Sequence, residues 1–501
     1  MVLLLFLLPI SLVLIYYYIL PSFKHNRKSH TSSPPGPPGL PILGNLLQFS
    51  SAAVPHTFLW QLSHKYGPLM RMKLGSREVV VISSARMAME ALKTHDSAFS
   101  SRPSFIGQRK LSYNGLDIAF SPYNEYWREM RKISVLHLFG LSRVKQFQPI
   151  REDEVSRMVN RVSELALSSQ MININETATG LTRNIICRAA FGKRLEEEGQ
   201  ENRRFHHLLC KAQEVLMGGS FVADFLPWFG WVDKVTGKAA LLERVFKELD
   251  SFYQELINQH LDPDRPKSME GDILDILLGL MEENSSSINI TWDNIKAVLM
   301  NVFIAGTDTS SAVIIWTMTA LMKDPRVMNL VQSEIREFVG KKSKVDEEDI
   351  QKLSYFKAVI KESLRLFPPS PILVNRESLS KCTIDGYEIN PKTLIIVNNW
   401  AISRDLEYWE NPDKFYPERF LDSNVDYKGQ NFEFIPFGAG RRTCPGITLG
   451  VASSELALAN LLYAFDWELP SWLKKEDVDT NVLPGLTMHK KTPLCLIAKK
   501  V

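Results

Sequence analysis

Cysteine is scarce in this chain: five in 501 residues, at 187, 210, 382, 444 and 495. They are odd in number, far apart and never in a C-x-x-C pair, which argues against a disulfide framework or a zinc site and suits a reducing compartment. Long blocks of one charge sign are missing too, with a net charge of +3 and 23% charged residues. A polyanion-binding stripe, and with it a nucleic-acid partner, is therefore not expected. There is no G-x-G-x-x-G after a strand and no flavin-binding pattern, so any electrons the chain uses must come from another protein. Internal repeats are missing, and the biased tracts Glu196-Glu197-Glu198 and Ser285-Ser286-Ser287 are short enough to be loop tips. Length alone allows one large domain or two or three average ones.

What is there begins with an apolar run, Val2 to Leu20, broken only by Pro9 and Ser11 with tyrosines at 16 to 18. As a helix it would measure about 28 Å, enough to span a bilayer. No basic stretch precedes it and no small-residue cleavage site follows, as a removable signal peptide would require. Lys24, Arg27 and Lys28 come directly after it, which keeps the rest of the chain on the cytosolic side. The expectation is a single-pass anchor at 1–21 in the endoplasmic reticulum membrane, then a basic and proline-rich hinge at 22–45. The prolines between 34 and 41 lack donors and fix φ, so this stretch can form neither helix nor central strand.

Residues 46–501 read as one mainly α domain with a small β-rich lobe. Apolar periodicity predicts helices at about 55 to 65, 122 to 138, 150 to 167, 240 to 261, 293 to 322, 325 to 339 and 355 to 366. Leu69 to Leu74 and Val79 to Ile82 around Gly75-Ser76 predict a hairpin, and Cys382 to Ile389 with Thr393 to Val397 another.

The stretch that organises the chain is Pro436-Phe437-Gly438-Ala439-Gly440-Arg441-Arg442-Thr443-Cys444-Pro445-Gly446, running into an apolar helix from Ile447 to Ala464. It places a thiol at a helix mouth, with Pro445 suited to the first helical position and amides pointing back at the sulfur. Such a setting favours thiolate, and an anionic sulfur on a rigid loop suits a metal. The bland alternative is a free core cysteine beside a glycine-rich turn. Phe437, Gly440, Arg442, Cys444 and Gly446 reproduce F-x-x-G-x-R-x-C-x-G, so the chain resembles the cytochrome P450 monooxygenases.

That resemblance carries expectations for further residues. Cys444 would be the axial ligand of the iron of haem b. Trp127 and Arg131, four apart on one helix face, would contact the haem propionates with Arg376 and Arg442, and Phe437 would lie beside the cofactor. Ala305-Gly306-Thr307-Asp308-Thr309-Ser310 matches the family's A-G-x-D-T-S. Gly306 would there leave room for O2, Thr309 would donate a hydrogen bond to the oxygen being activated, and Asp308 would feed protons from solvent. Glu362 and Arg365, in E-x-x-R, with Arg419 in Pro417-Glu418-Arg419-Phe420, would form a buried structural charge network. The family's substrate-lining positions fall on Phe105, Phe303, Ala305, Ile372, Leu373 and Met488, mostly apolar and suited to a lipophilic small molecule.

Electrons would come from NADPH through NADPH–cytochrome reductase, docking on Arg128, Lys132, Lys414 and Arg441. Segments such as Phe191-Gly192-Lys193-Arg194 and Leu261-Asp262-Pro263-Asp264-Arg265-Pro266 are similar to those of plant microsomal members of specialised metabolism. The resemblance therefore implies oxidation of a terpenoid, alkaloid, phenolic or aldoxime by one atom of O2. A haem-thiolate isomerase or dehydratase, or a non-catalytic haem-binding membrane protein, would keep Cys444 but could dispense with the acid-alcohol pair at 308 and 309.

Overall fold

The computed structural model describes residues 33–194, 199–217, 221–266, 271–283, 287–483 and 485–501. The expected anchor, the basic part of the hinge, Glu196-Glu197-Glu198 and Ser285-Ser286 lie outside the described residues. The main helices are α1 (Pro55–Tyr66), α2 (Glu125–Ile133), α3 (Gln148–Leu167), α4 (Ile174–Phe191), α5 (Gln200–Leu216), α6 (Lys238–His260), α7 (Ile273–Glu282), α8 (Trp292–Lys323), α9 (Pro325–Val339), α10 (Ser354–Leu366) and α11 (Ile447–Ala464). The strands are β1 (Leu69–Leu74), β2 (Arg77–Ile82), β3 (Ile172–Asn173), β4 (Arg376–Glu377), β5 (Cys382–Ile384), β6 (Tyr387–Ile389), β7 (Leu394–Val397), β8 (Phe465–Glu468), β9 (Val482–Leu483), β10 (His489–Lys490) and β11 (Cys495–Lys500).

α8 is the axis of the molecule. Thr291 and Asn294 start it with a reciprocal capping box, which satisfies two donors that the first turn would leave orphaned. Its first half, including Ile295, Val298, Leu299 and Phe303, packs into a core with α4, α5, α6 and α7. Its second half, including Ile314, Ile315, Met318 and Leu321, packs into another with α9, α10 and α11. Ala305 to Thr309 belong to neither cluster, so the polar middle of α8 sits where two cores part.

The predicted helices form, with shifted ends. α2 begins at Glu125 because the Asn124 side chain accepts from the Trp127 amide, and its expected end is a π turn over Ser134–Leu138. α4, α5 and α7 gave no signal strong enough to predict. α4 is buried on nearly every face, so its apolar residues form no stripe, and α7 has only ten residues.

The lobe is a four-stranded sheet in the order β1-β2-β7-β4. The first hairpin turns as expected at Gly75, whose φ is +59° and where a Cβ would stand 2.3 Å from the Phe225 carbonyl oxygen. The second hairpin differs from expectation. β5 and β6 pair with each other around Asp385 and Gly386, both at positive φ, and Asp-Gly is a strong tight-turn signal. β7 instead runs parallel to β2 and antiparallel to β4, buried at all four residues.

The proline-rich part of the hinge also contacts the sheet. The Pro35 carbonyl accepts from the Arg71 amide at 2.8 Å and the Pro38 carbonyl from Asn45 Nδ2 at 3.0 Å. The proline stretch thus lies along β1 and covers a sheet edge.

The expected charge network is present. Arg365 donates from Nε and Nη2 to both oxygens of Glu362 at 2.8 and 2.9 Å, and Arg419 Nε donates to Oε1 at 3.1 Å. The Tyr416 amide donates to the same oxygen at 2.9 Å, so one buried carboxylate ties α10 to the segment preceding the Cys444 loop. Glu362→Ala leaves two guanidiniums without their anion in a dry site, at a cost of about 3–5 kcal/mol. Denaturant titration should show that loss, and a midpoint within error of the parent protein would contradict the assignment.

Candidate active site

The Cys444 loop folds back on itself: the Cys444 amide donates to the Phe437 carbonyl at 3.0 Å. Phe437 is half-buried, its ring edge-on to Tyr427 at 5.5 Å. Gly438 and Gly440 sit at φ +70° and +69°, and a Cβ on Gly440 would meet the Leu92 carbonyl oxygen at 2.3 Å. Pro445 lies in a turn before α11 rather than at its first position, and Gly446 caps the helix. The Gly446 amide donates to the sulfur. Burial pushes the Cys444 thiol up, while that amide and the Arg131 charge pull it toward the thiolate. Cys444 nevertheless keeps open surface. Open surface on a residue that burial nonetheless pushes up points to an interior space beside Cys444.

Around that space stand four arginines. Arg442 donates to the carbonyls of Ser100, Ile118 and Ser121 at 2.8, 3.3 and 2.7 Å, and lies 3.9 Å over the Trp127 ring. Trp127 Nε1 donates to the same Ile118 carbonyl at 2.9 Å. Arg376 bonds the Ala439 carbonyl at 2.8 Å and pairs with Asp96 at 3.2 Å, and Arg131 bonds the Thr443 carbonyl. Arg102, which sequence reasoning missed, donates to the carbonyls of Ala119, Val374 and Asn375 at 2.8, 2.5 and 2.8 Å. Its only sequence signal is a Ser-Arg-Pro turn, too common to single out.

These guanidiniums repel one another. Burial, then Arg376, pushes Arg442 down to about 9. Arg102 is held well below the arginine range by burial, Arg442 and Arg376, and burial lowers Arg376 and Arg131 as well. The carboxylates at hand are Asp117, which burial raises to about 6, and Asp96, which Arg441 shares at 2.7 Å. Carbonyls satisfy the donors but do not neutralise the charge. The donor set fits an anionic group carrying carboxylates, because a guanidinium fork bonds both oxygens of one.

α8 crosses α11 next to the sulfur: Ser454 Oγ donates to the Ser310 carbonyl at 3.3 Å, and a Cβ on Gly450 would lie 3.5 Å from Ser310 Oγ. Immediately before Ser310, Ala305 is exposed and Thr309 half-buried in a helix otherwise enclosed. Both open positions, the sulfur and the α8 middle, therefore flank one crossing. Thr309 Oγ1 donates to the Ala305 carbonyl at 2.8 Å. Gly306 does not open the space expected of it. A Cβ there would meet Ile186 Cδ1 at 2.5 Å, so this glycine lets α4 pack closely. Asp308 is buried, accepting from Gln213 Nε2 on α5 and pairing with His489 Nε2 on β10 at 2.8 Å.

Of the expected substrate-lining residues, Ala305, Ile372 and Leu373 keep open surface. Phe105, Phe303 and Met488 do not, at 1%, 0% and 3% exposed. Phe105 packs against Phe225 beneath the Arg77 guanidinium, Phe303 stacks among Phe205, Phe252 and Tyr253, and Met488 packs with Ala312 and Trp316. Their aromatic and sulfur bulk fills core in this state. On the outer face Arg128, Lys132 and Lys414 are exposed, whereas Arg441 is committed to Asp96 and to the Tyr123 hydroxyl at 2.5 Å.

Comparison with known proteins places this geometry. The family model "Cytochrome P450" matches residues 34–496. The chain is 48% identical to a 5-OH-xanthotoxin synthase of Pastinaca sativa, over 98% of this chain and 97% of that one. It is 47% identical to a strychnine-11-hydroxylase of Strychnos nux-vomica, over 93% and 91%. A solved zebrafish cytochrome P450 with progesterone superposes with a TM-score of 0.76 at 26% identity, covering 89% of this chain and 99% of that one.

The two glycines of the cysteine loop make a paired prediction. A Cβ on Gly438 has its nearest neighbour at 3.9 Å, so Gly438→Ala costs only the left-handed backbone, about 1–2 kcal/mol. Gly440→Ala adds a clash with backbone and should cost more, displacing the loop. Denaturation midpoints of the two variants check the order, and equal losses would contradict it.

Proposed function

Because the chain belongs to the cytochrome P450 family, whose members are haem monooxygenases, and because it resembles plant hydroxylases over nearly its full length, we propose the following division of labour among its residues. Cys444 would ligate the iron, and Arg102, Arg131, Arg376 and Arg442 with Trp127 would receive the haem propionates. The single observation that carries this reading is the buried cluster of like-charged arginines around a Cys444 that keeps open surface. When bound, a haem with a thiolate ligand supplies electron density that favours O–O cleavage. As the ligand, Cys444 would give up the thiol proton that burial otherwise favours, since a coordinating thiol is deprotonated outright.

The remaining work falls to the middle of α8. Thr309 gives its proton to the Ala305 carbonyl, so its lone pairs are free to hold a water or hydroxyl in the adjoining space. Asp308 is the nearby acid, fixed in orientation by Gln213 and His489. Ala305, Ile372 and Leu373 offer the substrate an apolar wall. Electrons would arrive from NADPH through NADPH–cytochrome reductase docked on Arg128, Lys132 and Lys414, at the endoplasmic reticulum membrane. The acid-alcohol pair favours this reading over an isomerase, a dehydratase or a haem-binding scaffold.

For substrate class we infer a rigid polycyclic plant metabolite of coumarin or alkaloid type, on the strength of the relatives' names. Xanthotoxin is the first probe, and a change of the haem absorption band on its addition would support the class. Thr309→Ala should then divert most NADPH consumption from product to peroxide; full coupling in that variant would contradict the role of Thr309.

A further inference from the structure

Asp308 is not left to face solvent by itself. Two elements distant in sequence converge on its Oδ2, Gln213 from α5 and His489 from β10. Asp308 Oδ1 takes no hydrogen bond from the described residues, so one carboxylate oxygen is fixed and the other is free to pass a proton on. The His489 side chain is 31% exposed against 8% for Asp308, which makes the pair a step from open surface to buried acid. His489 is itself held in place. The preceding Met488 accepts from Trp316 Nε1 at 2.7 Å and donates to the Pro369 carbonyl at 2.8 Å, and the following Lys490 pairs with Asp479 at 3.3 Å.

We propose that His489 is the outer member of a proton relay into the active site, taking a proton from solvent at Nδ1 and passing its Nε2 proton to the Asp308 carboxylate. The inference rests on the reading of Asp308 as the acid that serves the site. Each transfer conserves charge: the imidazole becomes imidazolium, Asp308 becomes the neutral acid as the imidazole returns to neutral, and the ring resets by proton exchange with solvent. Histidine suits the task because its two nitrogens can bind and release a proton in the physiological range.

The other titratable groups near the pair are few. Cys210 on α5 lies near Asp308, and its thiol is raised by burial and then by that carboxylate. Lys490 is turned to Asp479, and Lys323 at the end of α8 donates to the Val478 carbonyl at 2.6 Å. Burial works to lower His489, but the hydrogen bond from it to Asp308 and the Asp308 charge outweigh it, so its pKa stands above the ordinary 6.5. The stability that the ion pair contributes is accordingly whole below about 6.5 and is lost as pH rises through the raised value.

The test uses the full haem-loaded chain with its reductase and needs no substrate. NADPH oxidation is followed against pH in H2O and D2O for the parent protein, His489→Gln, His489→Phe and Asp308→Asn. Glutamine keeps an N–H donor for Asp308 but cannot relay a proton, which separates relay from mere attachment of the hairpin. Both His489 variants should slow about a hundredfold, the low end for loss of a positioned proton-transfer group, with a larger solvent isotope effect and loss of the histidine step in the pH profile. In the diamagnetic CO-bound state, the His489 imidazole resonance should titrate above 6.5 and fall back toward it in Asp308→Asn. If His489→Gln matches the parent while Asp308→Asn is slow, the relay is overturned and the reading of Asp308 stands. If Asp308→Asn also matches the parent, both fall. A slow His489→Phe beside a normal His489→Gln shows attachment alone and likewise overturns the relay.

Discussion

Positive charge buried without enough negative charge is the constraint on which this structure turns. Burial, Arg442 and Arg376 lower the proton affinity of Arg102, burial and Arg376 lower that of Arg442, and two aspartates, Asp117 and the Asp96 shared with Arg441, stand against them. Removing a guanidinium from water is expensive unless an anion accompanies it. A protein keeps such an arrangement when a ligand completes the charge balance, and on the proposed reading the carboxylates of a haem held by Cys444 would do so. The repulsion and the raised Cys444 thiol then have one explanation: each group is placed for a partner that brings opposite charge.

The fold delivers these groups from far apart in the sequence. Arg102 comes from the loop after the sheet lobe, Arg131 and Trp127 from α2, Arg376 from β4, and Arg442 from the cysteine loop. Glu362 holds that loop's approach through Arg365, Arg419 and the Tyr416 amide. Opposite it, α8 divides two hydrophobic cores and leaves its polar middle at the seam. Gly306 takes part by letting α4 come close, so the helix that faces the site is clamped from behind.

Legibility in the sequence followed the range of the forces involved. Cys444 and its glycines were readable because loop, turn and helix start lie within a dozen residues, and the Glu362 network because both halves carry compact motifs. Local pattern misled where the partner was remote. Phe105, Phe303 and Met488 have an apolar character that suits pocket wall and core alike, and the rings and helices that enclose them come from elsewhere in the chain. Arg102 and His489 looked ordinary for the same reason, since what marks them is Arg442 in one case and Asp308 in the other. β7 has the local pattern of a hairpin strand because parallel pairing with β2, about three hundred residues earlier, leaves no trace in a short window, while Asp385-Gly386 is a local turn signal that pairs β5 with β6. Pro35 and Pro38 have the composition of a free spacer, yet their carbonyls serve a sheet edge.

Charge completion by a thiolate-bound haem is the claim that most needs testing. The purified protein, loaded with haem, reduced and exposed to carbon monoxide, should show the red-shifted Soret band of thiolate ligation, and Cys444→Ser should abolish it. A natively folded protein that lacks the shifted band, or a Cys444→Ser variant that retains it, would contradict the account.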